Sequence, residues 1–276
     1  MQNARDVLTS KRLFIFDMDG TIYLGSRPFD FAVKFIGGLR QSGCNILFFT
    51  NNASRSATFY YNKLASLGYA PNPGEIMTAG DVTAEFLLRH RAGKTVYLVG
   101  TSELRRDWRS RGIRLISDDE AVEGAEADIV VTSFDTELTY QKLSDAARMI
   151  RSGAEYLSTH PDFNCPVDGG FIPDSGAIAA LITASTGVKP RYFGKPYGET
   201  VSMIKEVTGY SSSEICIFGD RLYTDIALGK QNGITSVLVL TGETKKEDLY
   251  GLADSEMPDF VFPSLSEVDT LMYPDK

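Results

Sequence analysis

With 276 residues the chain can bury a large core and falls between one big domain and two modest ones. Its composition, 43% hydrophobic and 23% charged with no low-complexity tract, argues against a disordered chain. Against 36 Asp and Glu stand 28 Lys and Arg, a formal charge of −8, which disfavours nucleic acid polymers and anionic membranes as partners; an anionic substrate has to be attracted locally. The opening stretch "MQNARDVLTSKRLFIFD" holds only a short apolar run, too short for a signal peptide core or a membrane span, so a cytoplasmic location is expected. Cys44, Cys165 and Cys216 have no metal-site spacing and read as buried free thiols.

In chain order, "RLFIFD" predicts a strand ending on Asp17, followed by a helix near 30–42, the strand "NILFFT" and a helix near 54–67 closed by a glycine. This is a βαβα pattern. Continuous apolar strands joined by helices predict a parallel sheet covered on both faces, with ligands at the carboxyl ends of the strands. The pattern resumes late with "RYFGKP", a helix near 197–208, "EICIFGD", a helix near 223–232 and "ITSVLVLTG". Between the halves lie strand signals of their own, "KTVYLVG", "ADIVVTSF" and "EYLST", which predict an inserted α/β domain. The expected organisation is residues 1–80 and 189–276 as one core, with 81–188 inserted.

If the core strands are neighbours, Asp17, Asp19, Thr50, Lys195, Asp220 and Asp225 meet at one edge of the sheet. Carboxylates that outnumber the lysine raise one another's pKa and oppose folding unless a cation joins them, and hard oxygen ligands suit Mg2+. A metal, a lysine, a threonine hydroxyl and strand-end N–H groups make a cradle for a phosphoryl group, leaving one aspartate free to attack it.

At these residues the chain resembles the haloacid dehalogenase superfamily of phosphatases. "DMDGT", "LFFTNN", "GKP" and "GDRLYTDI" are similar to its four motifs, in order, and "TNNASRS", "THPD" and "SGAIAALITASTG" are similar to its NagD-like and p-nitrophenylphosphatase-like branch. The 28 residues between Thr21 and Thr50 leave no room for a cap domain, whereas 145 positions lead from Thr50 to Lys195. An insertion there implies, by the resemblance, the larger α/β cap on a Rossmann-like core. Relatives with this cap often dimerise through it, so the resemblance also implies a homodimer.

The implied activity is Mg2+-dependent hydrolysis of small phosphate esters such as sugar phosphates, nucleoside monophosphates or p-nitrophenyl phosphate. By resemblance, Asp17 is the nucleophile that becomes an aspartyl-phosphate, and Asp19 is the general acid and base. Thr50, Asn51 and Asn52 bind phosphoryl oxygens, and Lys195 neutralises nucleophile and phosphate. Asp17, the Asp19 carbonyl and Asp220 hold the metal, with Asp225 behind them orienting water or Lys195. His160 and Asp162 follow a strand of the insertion and are expected at the substrate; the family often has Asn at the position of His160 and commonly Gly at that of Asp174. "RRDWRSR", with the lone Trp108, reads as an exposed basic helix face. The alternative is a phospho-accepting signalling or non-catalytic phosphate-binding module on the same core. Length and an intact set of six residues weigh against it, and no GxGxxG follows a strand to suggest a dehydrogenase.

Overall fold

Runs of four or more apolar residues that end on a polar one form the central strands, because only a position between two helical layers buries both faces of such a run. The computed structural model describes residues 2–167 and 169–274. Its strands, in chain order, are β1 (Leu13–Phe16), β2 (Tyr23–Leu24), β3 (Arg27–Pro28), β4 (Asn45–Thr50), β5 (Ile76–Thr78), β6 (Thr95–Val99), β7 (Arg114–Ile116) and β8 (Ile129–Thr132). There follow β9 (Glu155–Ser158), β10 (Asn164–Val167), β11 (Gly170–Pro173), β12 (Arg191–Tyr192), β13 (Ile215–Gly219), β14 (Thr235–Val239) and β15 (Phe260–Phe262).

The chain divides into two compact units. One holds the residues up to Thr50, Thr58–Met77 and the chain from Lys195 onward; the other holds Asn51–Ala57 and Thr78–Gly194. In the first, six strands run in the order β15-β14-β13-β1-β4-β5, parallel at every pairing from β15 to β4. Register is what builds the site: Phe16 lies opposite both Phe218 and Phe48, so Asp17, Asp220 and Thr50 all emerge at the same end of the sheet. Aromatic rings hold these strands. Phe16 stacks on Phe218 at 5.0 Å between centroids and meets Phe35 of the helix Asp30–Gln41 edge-on at 6.2 Å. Each such buried ring contributes about 1.5–3 kcal/mol over an exposed one.

In the second unit five parallel strands take the order β12-β9-β8-β6-β7, beside the antiparallel hairpin β10–β11. Three expectations change here. Arg191–Tyr192, expected in the core, pairs with β9 of this sheet. The segment Asn51–Ala57 also belongs to this unit: Thr101 Oγ1 donates to the Ser54 carbonyl at 3.0 Å, and Glu103 accepts from the amide and hydroxyl of Ser56, each at 2.9 Å. Trp108 is fully buried rather than exposed, since Leu104 and Trp108 stand one turn apart on the inner face of Ser102–Ser110 while Arg106 and Arg109 face out. Buried Arg105 of that helix pairs with Asp118 at 2.8 Å. Of the cysteines, all free, only Cys216 is buried; Cys44 and Cys165 are partly exposed. No helix among the described residues is long and apolar enough to cross a membrane.

Candidate active site

Where β1 ends, the Asp17 amide donates to the Phe218 carbonyl at 2.8 Å, which extends the ladder by one residue and fixes the direction of the Asp17 side chain. Lys195 is buried and pairs with two carboxylates, Asp17 and Asp225, the latter at 2.7 Å; its Nζ also lies 3.4 Å from the Phe49 carbonyl. Burial alone would drive the proton off Lys195, but the two carboxylates outweigh it and hold the ammonium above the usual lysine range. Asp225 sits in the first turn after β13, where its Oδ2 accepts from the Arg221 amide at 3.3 Å.

Asp220 is held differently. The Glu243 amide donates to its Oδ2 at 2.7 Å, while Oδ1 is buried and has no hydrogen-bond partner among the described residues. Glycines press on this carboxylate: a Cβ at Gly20, whose φ is +85°, or at Gly242 would run into it. Burial, reinforced by the charges of Asp17 and Asp225, pushes Asp220 up to about 7, and burial likewise raises Asp225 against the pull of Lys195. One carboxylate oxygen from each of Asp17, Asp220 and Asp225 lies within 4.8 Å of the others. An orphaned buried oxygen among three converging carboxylates is a donor set that fits a hard divalent cation.

Asp19 is exposed and accepts from the Gly25 amide at 3.4 Å; its neighbour Gly20 is tied down by Thr241, whose hydroxyl donates to the Gly20 carbonyl at 2.6 Å. Thr50 ends β4, half buried. Thus Asp17, Asp220, Asp225 and Lys195 form one cluster, with Asp19 and Thr50 on the same unit.

The remaining candidates gather in the second unit. The Asn51 amide donates to both oxygens of Asp162, at 3.2 and 3.1 Å, and Asn52 Oδ1 accepts from the Ser54 amide and hydroxyl at 3.0 and 2.7 Å. His160 is fully buried, its Nε2 2.8 Å from Asp174 Oδ1. Asp174 was legible only as an unusual residue in a loop, and its pairing with His160 had no local signal. Arg221 was also missed. It follows Asp220 directly and reaches Glu243 at 3.0 Å, and Asp17, Asp220, Tyr223 and Asp225 hold its guanidinium above its usual range in spite of burial.

Two family models match the chain, a haloacid dehalogenase-like hydrolase over residues 14–114 and a HAD-hydrolase-like model over residues 192–268. An acid sugar phosphatase of Staphylococcus saprophyticus is 34% identical over 257 residues, 93% of this chain and 96% of the relative. The crystal structure of a 4-nitrophenylphosphatase from Thermotoga maritima superposes with a TM-score of 0.88 at 40% identity, covering 96% of this chain and 99% of that one. A glycerol phosphate phosphatase from Mycobacterium tuberculosis, solved in complex with magnesium, gives a TM-score of 0.84 at 28% identity over 94% of this chain and 76% of its own. Four ordered motifs, a shared parallel core and near full-length identity agree: the chain belongs to the haloacid dehalogenase-like hydrolases, in the branch of NagD-like and p-nitrophenylphosphatase-like phosphatases.

Proposed function

We propose that the protein is a Mg2+-dependent phosphomonoesterase of small phosphate esters, sugar phosphates foremost, that works through a phosphorylated Asp17. The observation that carries this reading is the Asp17–Lys195–Asp225 chain beside the orphaned Oδ1 of Asp220. Asp17, the Asp19 carbonyl and Asp220 would hold the ion, which when bound supplies positive charge to nucleophile and phosphoryl oxygens alike. Asp17 attacks phosphorus, and its approach to an anionic ester is eased by Lys195, the cation it already touches. Asp225 keeps that ammonium charged and aimed. Exposed Asp19 has room to protonate the departing alkoxide and then to take a proton from the water that cleaves the aspartyl-phosphate. Thr50 offers a hydroxyl to the phosphoryl oxygens. The second unit is the cap, and Asp162, half buried on its loop, is the side chain assigned to read the leaving group.

The names of the relatives support the ester class: one acts on sugar phosphates by its name, another on 4-nitrophenyl phosphate. Phosphate release from p-nitrophenyl phosphate tests the reading, with turnover expected in millimolar Mg2+ and none in excess chelator. Equal rates in both would overturn the metal requirement.

A further inference from the structure

Behind Asp162 lies a closed chain of polar side chains that the chemistry above does not use. His160 has no exposed surface and Asp174 is 3% exposed. The Thr159 hydroxyl is placed to donate to Ser133 Oγ at 3.1 Å and also lies 2.9 Å from His160 Nδ1; its one proton cannot serve both, and while it serves Ser133 the hydroxyl accepts from the ring. On the other side of the ring, Asp174 Oδ1 accepts from the Ser175 amide at 2.5 Å and faces His160 Nε2 at 2.8 Å. In that arrangement both ring nitrogens point at acceptors. A neutral imidazole carries one N–H and would press a lone pair against an oxygen inside a site that water does not reach, whereas an imidazolium satisfies both. The counter-charge is present: ligand-capable atoms of His160, Asp162 and Asp174 lie within 4.8 Å of one another.

We propose that His160 is a buried imidazolium held by Asp174, and that the two act as positioning residues that set the Asp162 carboxylate. Burial opposes the charge, and the carboxylates of Asp174 and Asp162 outweigh it, leaving the ring more basic than an ordinary histidine. The Thr159 hydroxyl at the ring's other nitrogen is neutral, and Gly194 packs beside the His160 Cβ with no room for a side chain of its own. Asp162 in turn accepts both contacts of the Asn51 amide. One carboxylate keeps the ring charged and the ring restrains the other. The link from Asp162 to the leaving group rests on the function proposed above; the protonation state does not.

The test uses the intact chain, which has only two histidines, His90 and His160. Nitrogen-15 NMR at pH 7, where an ordinary histidine is mostly neutral, is expected to find both ring nitrogens of His160 protonated, with His90→Asn assigning the signals. Asp174→Asn keeps the shape and removes the charge. It is expected to turn the ring neutral at pH 7 and to raise KM for a hexose 6-phosphate about tenfold, the scale of one charge-assisted hydrogen bond. For p-nitrophenyl phosphate kcat should stay within about twofold, since the phosphoryl chemistry is left alone. One unprotonated nitrogen in the wild-type spectrum, whether from a neutral ring or a metal ligated in place of the proton, overturns the imidazolium. A common loss of kcat on both esters with KM unchanged overturns the positioning role. The spectrum needs no change at His160 or Asp174 and no ester to be turned over, so it decides the protonation state even if the hydrolase reading fails.

Discussion

Each of the two units gathers carboxylates round a buried cation just past the ends of parallel strands, and the two clusters differ in how fully their polar atoms are met. In the second, His160 has two carboxylates and every polar atom of the ring is met by a neighbour. In the first, three carboxylates converge, Lys195 pairs with two of them and the Arg221 guanidinium lies near, yet Asp220 Oδ1 has no donor among the described residues. Closed hydrogen bonding round one cation makes a brace. Similar residue types with a third carboxylate and a buried oxygen that no donor meets make a receptor, because a cation has to reach that oxygen from outside.

The contrast is broken most severely at the nucleophile. Asp17→Asn is expected to abolish turnover of every phosphate ester while leaving the circular dichroism of the folded chain intact, since an amide cannot form the acyl-phosphate; residual activity on any ester would give the nucleophile's role to another residue. Lys195→Ala comes next. Turnover should fall about 10²- to 10³-fold, the scale of one preorganised electrostatic partner. Because it strips Asp17 and Asp225 of their shared cation, it should also cost about 3–5 kcal/mol in stability measured without Mg2+. Near-full activity would reduce the lysine to a structural one.

The smallest effect sharpens the difference between brace and receptor. Asp220 titrates near 7 in the fold and near 4 when unfolded, so between those values the folded state binds more protons. The contribution of Asp220 to the stability of the metal-free protein is then fully present below about pH 4 and declines as pH rises toward 7. Mg2+ competes with those protons, so the rise in melting temperature that it causes should be larger at pH 7.5 than at pH 5.5. Calorimetry that finds the same shift at both values would mean that the ion does not meet Asp220.

Much of the receptor was legible because its signal is local. "LFIF" and "ILFF" are unbroken apolar runs that stop on polar residues, "ICIF" reaches Asp220 through Gly219, and their parallel register follows from the βαβ pattern. Stretches where tertiary contact overrides local pattern were not legible. Two residues at Arg191–Tyr192 are too few to carry a period, so nothing ahead of the fold assigns them to β9. Charged letters hide the inward turn of Trp108, since Arg105 goes inside where Asp118, the Gly100 carbonyl and the Tyr97 ring meet it. The burial of His160 depends on Asp174, fourteen positions on, and on Ser133, on a different strand end; no spacing rule joins those three.

The place of β1 has a consequence in time as well as in space. It is hydrogen-bonded on both edges, to β13 and to β4, and all four of its residues are buried. Amides in such a strand trade hydrogen for deuterium only when the sheet itself comes apart. Asp17, joined to the same ladder through Phe218, is thus anchored in the slowest-opening part of its unit, and the direction of its side chain persists for as long as that sheet survives.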